Sequence, residues 1–221
     1  MNVYPYRNGD MVPRIRISAF SLLAALTVGA CGGAPAPSVS PEPAPAGASS
    51  ESAPTYTVAD VDFMTNMIAH HAQAVQIARW APTHDAGAGL QRLAERVVVG
   101  QQDEIAIMQR WLRDRGETVP DPDSSHNMSG MDHSMHMPGM LTGPELAALD
   151  SARGPAFDRL FLTLMIRHHE GAVEMVDELF ASQGAGEDDT VFRLASDIQA
   201  DQVVEIRRMQ QMLEQLPPTT D

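Results

Sequence analysis

Two stretches of sequence decide the fold of this chain: DVDFMTNMIAHHAQAV at residues 60–75 and DRLFLTLMIRHHEGAV at residues 158–173. Both have Asp, Phe, Met-Ile, His-His and Ala-Val at the same relative positions. Apolar residues recur in each stretch at a spacing of about three to four, which predicts amphipathic helices. Repetition of this kind indicates a duplicated structural unit.

A second repeated stretch follows each of the first two. Residues 93–112, LAERVVVGQQDEIAIMQRWL, correspond to residues 194–213, LASDIQADQVVEIRRMQQML. Each half is therefore a helical hairpin, and its apolar stripe needs the other half to bury it. We predict an all-α four-helix bundle. The expected helices lie near 58–81, 88–115, 144–182 and 188–215, with a break in the third near Gly154-Pro155 because proline disrupts a helix interior.

The composition limits the classes of protein that this chain can belong to. A formal net charge of −14 argues against nucleic-acid binding, which needs a basic surface. The single cysteine excludes a disulfide framework and a CxxC metal site. Aromatic residues make up only 5% of the chain, whereas there are 14 Met and 8 His, so the core is expected to be aliphatic and rich in methionine.

The residues before the first repeat predict export and a tether. Arg14 and Arg16 precede an apolar stretch at 19–27, and small residues then lead to Cys31, a pattern similar to a bacterial lipoprotein signal. Cleavage before Cys31 would leave that residue as the lipid attachment point; an ordinary signal peptide or an uncleaved anchor is the alternative. Residues 32–54 consist almost entirely of Gly, Ala, Pro, Ser and Glu, which predicts a flexible tether.

These observations divide the chain into segments. We predict a signal peptide at 1–30, a lipid-anchored tether at 31–57, a first hairpin at 58–118, a bridge at 119–143 and a second hairpin at 144–216, with 58–216 forming one folded domain. The expected location is outside the cytoplasm, anchored to a bacterial membrane on its periplasmic or cell-surface side.

The histidine pairs lie beside the apolar stripes of their helices. At about 100° per residue, His71 and His169 face the core, whereas His70 and His168 lie about a quarter turn away on the flanks. The stripes also contain Asp60, Met64, Met67, Asp158 and Met165, and those of the partner helices contain Glu104, Met108, Glu205 and Met209. A buried carboxylate needs a partner. Two explanations stay open: a structural Glu–His hydrogen-bond network, or a metal site, since Met-x-x-His-His occurs twice and thioether with imidazole suits copper.

The bridge between the hairpins has the strongest metal-binding pattern. Its candidate ligands are His126, Met128, Met131, His133, Met135, His136, Met137 and Met140, separated mostly by small or polar residues. A flexible loop with these spacings can place roughly two to four soft donors around Cu(I) or Ag(I). Thioethers and imidazoles also suit a compartment in which thiols oxidise. The alternative is a linker that is rich in methionine by chance.

The repeated Met-Ile-x-His-His motif resembles the domain-of-unknown-function 305 (DUF305) family, which includes the CopM-type periplasmic copper-binding proteins. The resemblance covers about residues 56–215. It implies a ferritin-like four-helix bundle, an extracytoplasmic location and, for some members, copper binding and copper tolerance. By the same resemblance the metal ligands include Met67, His70, His71, Met165, His168 and His169, together with Met108 and Met209 of the second-helix pattern. Leu162 occurs where the first repeat has Met64, so the two halves need not bind metal equally.

We therefore expect a copper-binding lipoprotein, and not an enzyme, that sequesters Cu(I) or hands it to a copper-transfer protein; Ag(I) is a second candidate ion. One alternative is a ferritin-like di-metal oxidoreductase. That chemistry uses Glu-x-x-His pairs, and neither Glu104 nor Glu205 has a histidine three residues on. The other alternative is a structural lipoprotein that binds no metal.

Overall fold

A computed structural model of the chain describes residues 55–121 and 137–217. These residues form five α-helices and one 3₁₀ helix and contain no strand, which confirms the all-α prediction. The helices are α1 (Val58–Ala78), the 3₁₀ helix (Ala81–Thr83), α2 (Ala88–Asp114), α3 (Gly143–Ser151), α4 (Gly154–Ala181) and α5 (Asp189–Gln215). The predicted signal peptide, Cys31, most of the tether and bridge residues 122–136 lie outside the described residues. None of the helices that the structure describes is long and apolar enough to span a membrane.

Side-chain caps set the starts of three helices. At α1, Asp60 N donates to Thr57 Oγ1 at 3.3 Å, and Thr57 N donates back to Asp60 Oδ2 at 2.7 Å, which is a capping box. Thr142 and Glu145 form the same arrangement at α3. Asp188 accepts hydrogen bonds from the backbone of the first turn of α5. These contacts satisfy amide groups that have no partner within a helix.

The third predicted helix is two helices, α3 and α4. The backbone is extended at Ala152 and Arg153, and α4 then begins with Gly154-Pro155. Proline fits the first turn of a helix, where its missing N–H would have no partner. The predicted break is therefore confirmed, and α4 begins slightly before the expected position near Ala156.

The helices pack in the order α2, α1, α4, α5. Helix α1 contacts both α2 and α4, and α4 also contacts α5. Helices α1 and α4 are therefore the central helices. Each buries one side against its hairpin partner and another side against the other central helix. A ferritin-like arrangement of these helices stays a prediction.

The core has two apolar clusters. The Phe157 cluster includes Leu93, Phe161 and Met209, and the Trp111 cluster includes Met64, Ile68, Met108 and Val176. Helix α1 runs from the Trp111 cluster to the Phe157 cluster, and α4 runs in the opposite direction, so the two central helices are antiparallel.

Two aspartates tie each hairpin to the loop of the other. Gly186 N, in the loop before α5, donates to Asp60 Oδ1 at 2.7 Å. Gly87 N, in the loop before α2, donates to both carboxylate oxygens of Asp158 at 3.1 Å. These two carboxylates, which are possible metal ligands or supporting groups on the apolar stripes, also hold the two halves of the fold together. Burial raises the pKa of Asp158, and the hydrogen bond from Gly87 opposes that shift.

Candidate metal centre

A layer of polar side chains separates the two apolar clusters. Helix α1 passes from one cluster to the other between Ile68 and Ala74, and α4 does so between Met165 and Ala172. Both histidine pairs fall in these intervals, and a Gln-x-x-Glu pair falls in the equivalent interval of α2 and of α5. We define the central polar layer as His70, His71, Gln101, Glu104, His168, His169, Gln202 and Glu205.

His70 and His168 contact each other in the centre of this layer. Their ring centroids are 3.9 Å apart, with 40° between the ring planes. The two residues are 0% and 1% exposed. The prediction that they lie on helix flanks outside the core is therefore wrong. That prediction assumed one packed face per helix, whereas α1 and α4 also pack against each other.

The other two histidines each bind a glutamate on the neighbouring helix. His71 Nε2 lies 2.7 Å from Glu104 Oε2, and His169 Nε2 lies 2.8 Å from Glu205 Oε2. Both histidine side chains are fully buried, whereas the glutamates are 14% and 21% exposed. Each of these partly buried carboxylates therefore has a partner, as its position on an apolar stripe led us to expect.

Several imidazole nitrogens in the layer have no hydrogen-bond partner among the described residues. They are Nδ1 of His70, His71 and His169, and both ring nitrogens of His168. A neutral imidazole that donates from Nε2 has its lone pair on Nδ1. Hydrogen bonds from Nε2 to Glu104, Glu205 and the Pro138 carbonyl thus leave three buried lone pairs unused. This is how a carboxylate or carbonyl orients a histidine that ligates a metal.

The central histidine pair is held in its neutral form. Burial, reinforced by nearby His71, lowers the pKa of His70 to about 3. Burial also lowers the pKa of His168 well below its ordinary value, and His70 adds to the effect. Both imidazoles are therefore uncharged at neutral pH, and a metal ion would not have to displace a proton from them.

Methionines lie on both sides of the layer. Met67 and Met165 each precede a histidine pair by one helical turn, and Met108 and Met209 follow Glu104 and Glu205 by one turn. These four side chains are fully buried, as is Met64. Met64, Met67 and Met108 belong to the Trp111 cluster, and Met165 and Met209 belong to the Phe157 cluster. Methionine thioethers therefore lie in both of the apolar clusters that adjoin the layer.

The end of the bridge lies against the central histidines. His70 Nε2 donates to the Pro138 carbonyl at 3.0 Å, and Gln73 makes two hydrogen bonds with the backbone of Leu141, at 2.7 and 3.1 Å. A Cβ atom on Gly139 would lie 3.0 Å from the His168 Cα. We call residues 137–141 the docked end. The prediction of a wholly flexible bridge is wrong for these residues, because backbone hydrogen bonds hold them.

The docked end includes two of the predicted bridge ligands. Met137 and Met140 are both half-buried, on either side of Pro138-Gly139. The remaining candidate ligands lie outside the described residues: His126, Met128, Met131, His133, Met135 and His136. Among the residues that the structure describes, no group of three or more His, Cys, Asp or Glu side chains is placed to hold a metal ion. Any ion in the layer therefore needs another type of donor as well.

Sequence analysis did not identify Gln101 and Gln202 as site residues. Both are buried, at 3% and 2% exposure. Within the part of the chain that the structure describes, both amide atoms of Gln101 and the amide oxygen of Gln202 have no hydrogen-bond partner. The signal was available in the repeat, since each glutamine precedes its layer glutamate by three residues, which is one helical turn.

A cleft of about 340 Å³ between α2 and α5 reaches this layer from solvent. Gln101, Glu104, Asp201, Gln202 and Glu205 contribute to its lining. Burial raises the pKa of Asp201, and the nearby carboxylates of Glu104, Glu205 and Asp197 raise it further. The cleft is therefore a place where negative charges are crowded.

Together these features define a class of protein: an all-helical chain of two repeated hairpins, with buried histidines and methionines in its core and partly exposed glutamates bound to two of the histidines. The family described as a domain of unknown function (DUF305) matches residues 60–213. This chain belongs to the DUF305 family, as its repeated motif predicted. None of the curated proteins compared with the chain matches it.

Solved structures agree with this assignment. A DUF305 fragment from Deinococcus radiodurans is 31% identical, with a TM-score of 0.63, and the match covers 74% of this chain and 100% of the fragment. A DUF305 protein from Streptomyces coelicolor, predicted to be secreted, is 28% identical, with a TM-score of 0.60 and coverage of 71% and 92%. CopM in its Cu(II)-bound form is 29% identical, with a TM-score of 0.57 and coverage of 70% and 95%. CopM also has Cu(I)-bound, silver-bound and apo structures.

Proposed function

We propose that this protein binds copper outside the cytoplasm, where it sequesters Cu(I) or hands it to a partner protein. The central polar layer would be one binding site and the Met/His bridge another. Ag(I), which has the same preference for soft donors, would bind in the same places. The similarity to CopM, whose structures contain Cu(I), Cu(II) and silver, supports this choice of ion.

The unpartnered imidazole nitrogens of the layer carry the proposal. A buried polar atom without a hydrogen bond costs roughly 1–3 kcal/mol, so a purely structural network would be expected to satisfy such atoms. Here the Nε2 atoms of His71 and His169 bind carboxylates while their Nδ1 atoms have no partner. Ligation of a metal ion would use those lone pairs.

Methionine sulfur would supply the remaining ligands. Cu(I) accepts thioether and neutral imidazole ligands. Met67, Met108, Met165 and Met209 are fully buried next to the layer. The lack of a cluster of three or more His, Cys, Asp or Glu in the described residues also favours a mixed sulfur and nitrogen site over a carboxylate-rich one.

The bridge would capture copper at a site of its own, separate from the layer. Its docked end binds His70 through Pro138, and only Met137 separates Pro138 from the Met/His segment at 126–136 in the sequence. Lipid attachment at Cys31 would keep the protein at a bacterial membrane. We propose binding and not catalysis, because Glu104 and Glu205 each accept from a separate histidine and do not form the Glu-x-x-His pairs of a di-metal oxidoreductase.

An anaerobic Cu(I) titration against a chromophoric chelator tests the proposal. The wild-type protein should compete for at least one Cu(I). In His168→Leu, the layer site should be lost while the free energy of unfolding without metal is unchanged or higher, because both ring nitrogens of His168 have no hydrogen bond to lose.

Deletion of residues 126–136 is the matched variant for the bridge. It spares the docked end and should lower the Cu(I) stoichiometry without affecting the layer site. A wild-type protein that does not compete for Cu(I) would overturn the proposed function, particularly if it is purified with iron or manganese.

A further inference from the structure

The buried histidines need a route to solvent if they bind an ion. All four are at most 1% exposed. On the side where α1 meets α4, the docked end covers them: Pro138 binds His70, and a Cβ on Gly139 would lie 3.0 Å from His168 Cα. An ion that reaches the layer through that side would have to break these contacts.

The cleft between α2 and α5 approaches the same layer. Its volume is about 340 Å³, which is large enough for a metal ion with several waters. Glu104 and Glu205 line it, and the same carboxylates bind His71 and His169. The floor of the cleft is thus one side chain away from the histidines.

Unpartnered amide groups also line the cleft. Both polar atoms of the Gln101 side chain and the oxygen of Gln202 have no hydrogen-bond partner, although both residues are more than nine-tenths buried. Buried amides are normally hydrogen-bonded. Their two amide oxygens, with the carboxylates beside them, make a surface that attracts a cation electrostatically before softer donors bind it.

We propose that the cleft between α2 and α5 is the port through which a metal cation reaches and leaves the central polar layer. The cation would first meet the oxygen atoms of Glu104, Asp201 and Glu205, and the two glutamines would replace part of its hydration shell. Transfer to the imidazoles would follow. This inference rests on the proposed copper binding and specifies the path by which the ion enters.

The charges around the cleft favour a cation. Glu104, Asp201 and Glu205 contribute three carboxylates, and Arg96 and Arg208 contribute two guanidinium groups. A cleft with an excess of one sign of charge raises the local concentration of ions of the opposite sign. The same field would slow the approach of an anionic chelator to the layer.

A bulky residue at the mouth of the cleft tests this port. Gly100 lines the cleft, and a Cβ at this position would have no atom within 4 Å, so Gly100→Trp adds a large side chain in open space. Val99→Trp is the matched control: it places the same side chain on the preceding residue of α2, which lines a different pocket. The measurement is stopped-flow transfer of Cu(I) between a chelator and the full-length protein.

Gly100→Trp should slow both binding and release by about tenfold or more while the equilibrium affinity stays within about twofold, because an obstructed path changes rates in both directions. Val99→Trp should behave as the wild type. Equal rates in all three proteins would overturn the port. If Gly100→Trp does not fold, Asp201→Asn serves instead: binding should slow several-fold at low salt, and the salt dependence should weaken.

The wild-type titration separates failure of the port from failure of the proposed function. A wild type that binds Cu(I), with rates that neither variant changes, rejects the port alone. A wild type that does not bind Cu(I) rejects the function and the port with it.

Discussion

Gly171 is the residue on which the docked end of the bridge rests. A Cβ atom there would lie 2.1 Å from the Pro138 oxygen and 2.4 Å from its carbonyl carbon. The contact involves backbone atoms, which cannot move aside as the end of a flexible side chain could. The absence of a side chain at Gly171 is therefore what allows the bridge to lie against α4.

We predict that Gly171→Ala lowers the free energy of unfolding by about 1–3 kcal/mol, as overpacking does elsewhere. The loss should occur although alanine is the better helix former by about 1 kcal/mol. Gly100→Ala is the control, since it also replaces a helical glycine but meets no atom within 4 Å, and it should be stabilising. Denaturant unfolding measures both. A stabilised Gly171→Ala would mean that the docked end does not pack as described.

His70 makes the stability of the metal-free protein depend on pH. Its folded-state pKa is about 3, whereas the ordinary value is 6.5. Between these values the unfolded chain binds a proton that the folded protein does not. The contribution of neutral His70 to the free energy of unfolding is therefore fully present above about pH 6.5 and is lost as the pH falls towards 3.

From pH 7 to pH 5 we predict a loss of about 2 kcal/mol from His70 alone, and His168 should act in the same direction. Urea unfolding without metal, repeated at several pH values, measures this slope. His70→Asn should have a shallower slope than the wild type. Identical slopes would show that His70 does not remain neutral in the folded protein.

The helical hairpins depend on contacts that link the start of one to the loop of the other. Asp60 completes the capping box of α1 and also accepts the backbone N–H of Gly186. Asp158 makes the equivalent contact with Gly87. The loop partners of these aspartates are more than 70 residues away along the chain and could not be recognised from local pattern.

Asp60→Ala should lower the free energy of unfolding by about 2 kcal/mol, because it removes an N-terminal cap and leaves a buried amide without a partner. Asp60→Asn keeps one carbonyl oxygen for Gly186 and should cost less. Thermal or denaturant unfolding of the two variants measures which of them loses more stability. If Asp60→Ala is as stable as the wild type, water or another group must replace both contacts.

Helix boundaries were largely predictable because their signals are local. Pro155 ends one helix and begins another through the geometry of its own ring, and the structure breaks there. The docked end was not predictable. Its hydrogen bonds to His70 and Gln73 join residues 68 positions apart in the chain, and no apolar periodicity marks it.

For the molecule as a whole, the proposed attachment to a membrane would depend on Cys31, which lies outside the described residues. We predict that Cys31→Ser leaves the chain unlipidated or in its precursor form and removes it from the membrane fraction. Incorporation of labelled fatty acid, followed by cell fractionation, measures this. Ser38→Ala, in the tether, should behave as the wild type. Normal retention of Cys31→Ser through a lipid anchor would contradict the lipoprotein prediction.

The sequence by itself determined the helical class, the duplication and the types of donor atom. Helical periodicity and repeated motifs can be recognised from the order of residues in the chain. They can therefore be predicted without knowing which helices pack together. Because Glu104 and Glu205 lie on apolar stripes, the sequence also indicated that they need partners, and the histidines were the expected ones.

Only the tertiary structure decided how these groups meet. Each central helix has two neighbours, so His70 and His168 contact each other instead of lying at the flanks of the packed faces. Packing also placed Gln101 and Gln202 without partners beside a cleft and brought the docked end against the histidines. Such arrangements depend on which helix faces pack together. Apolar periodicity in the sequence shows which face of a helix is buried, but it does not show which other element covers that face.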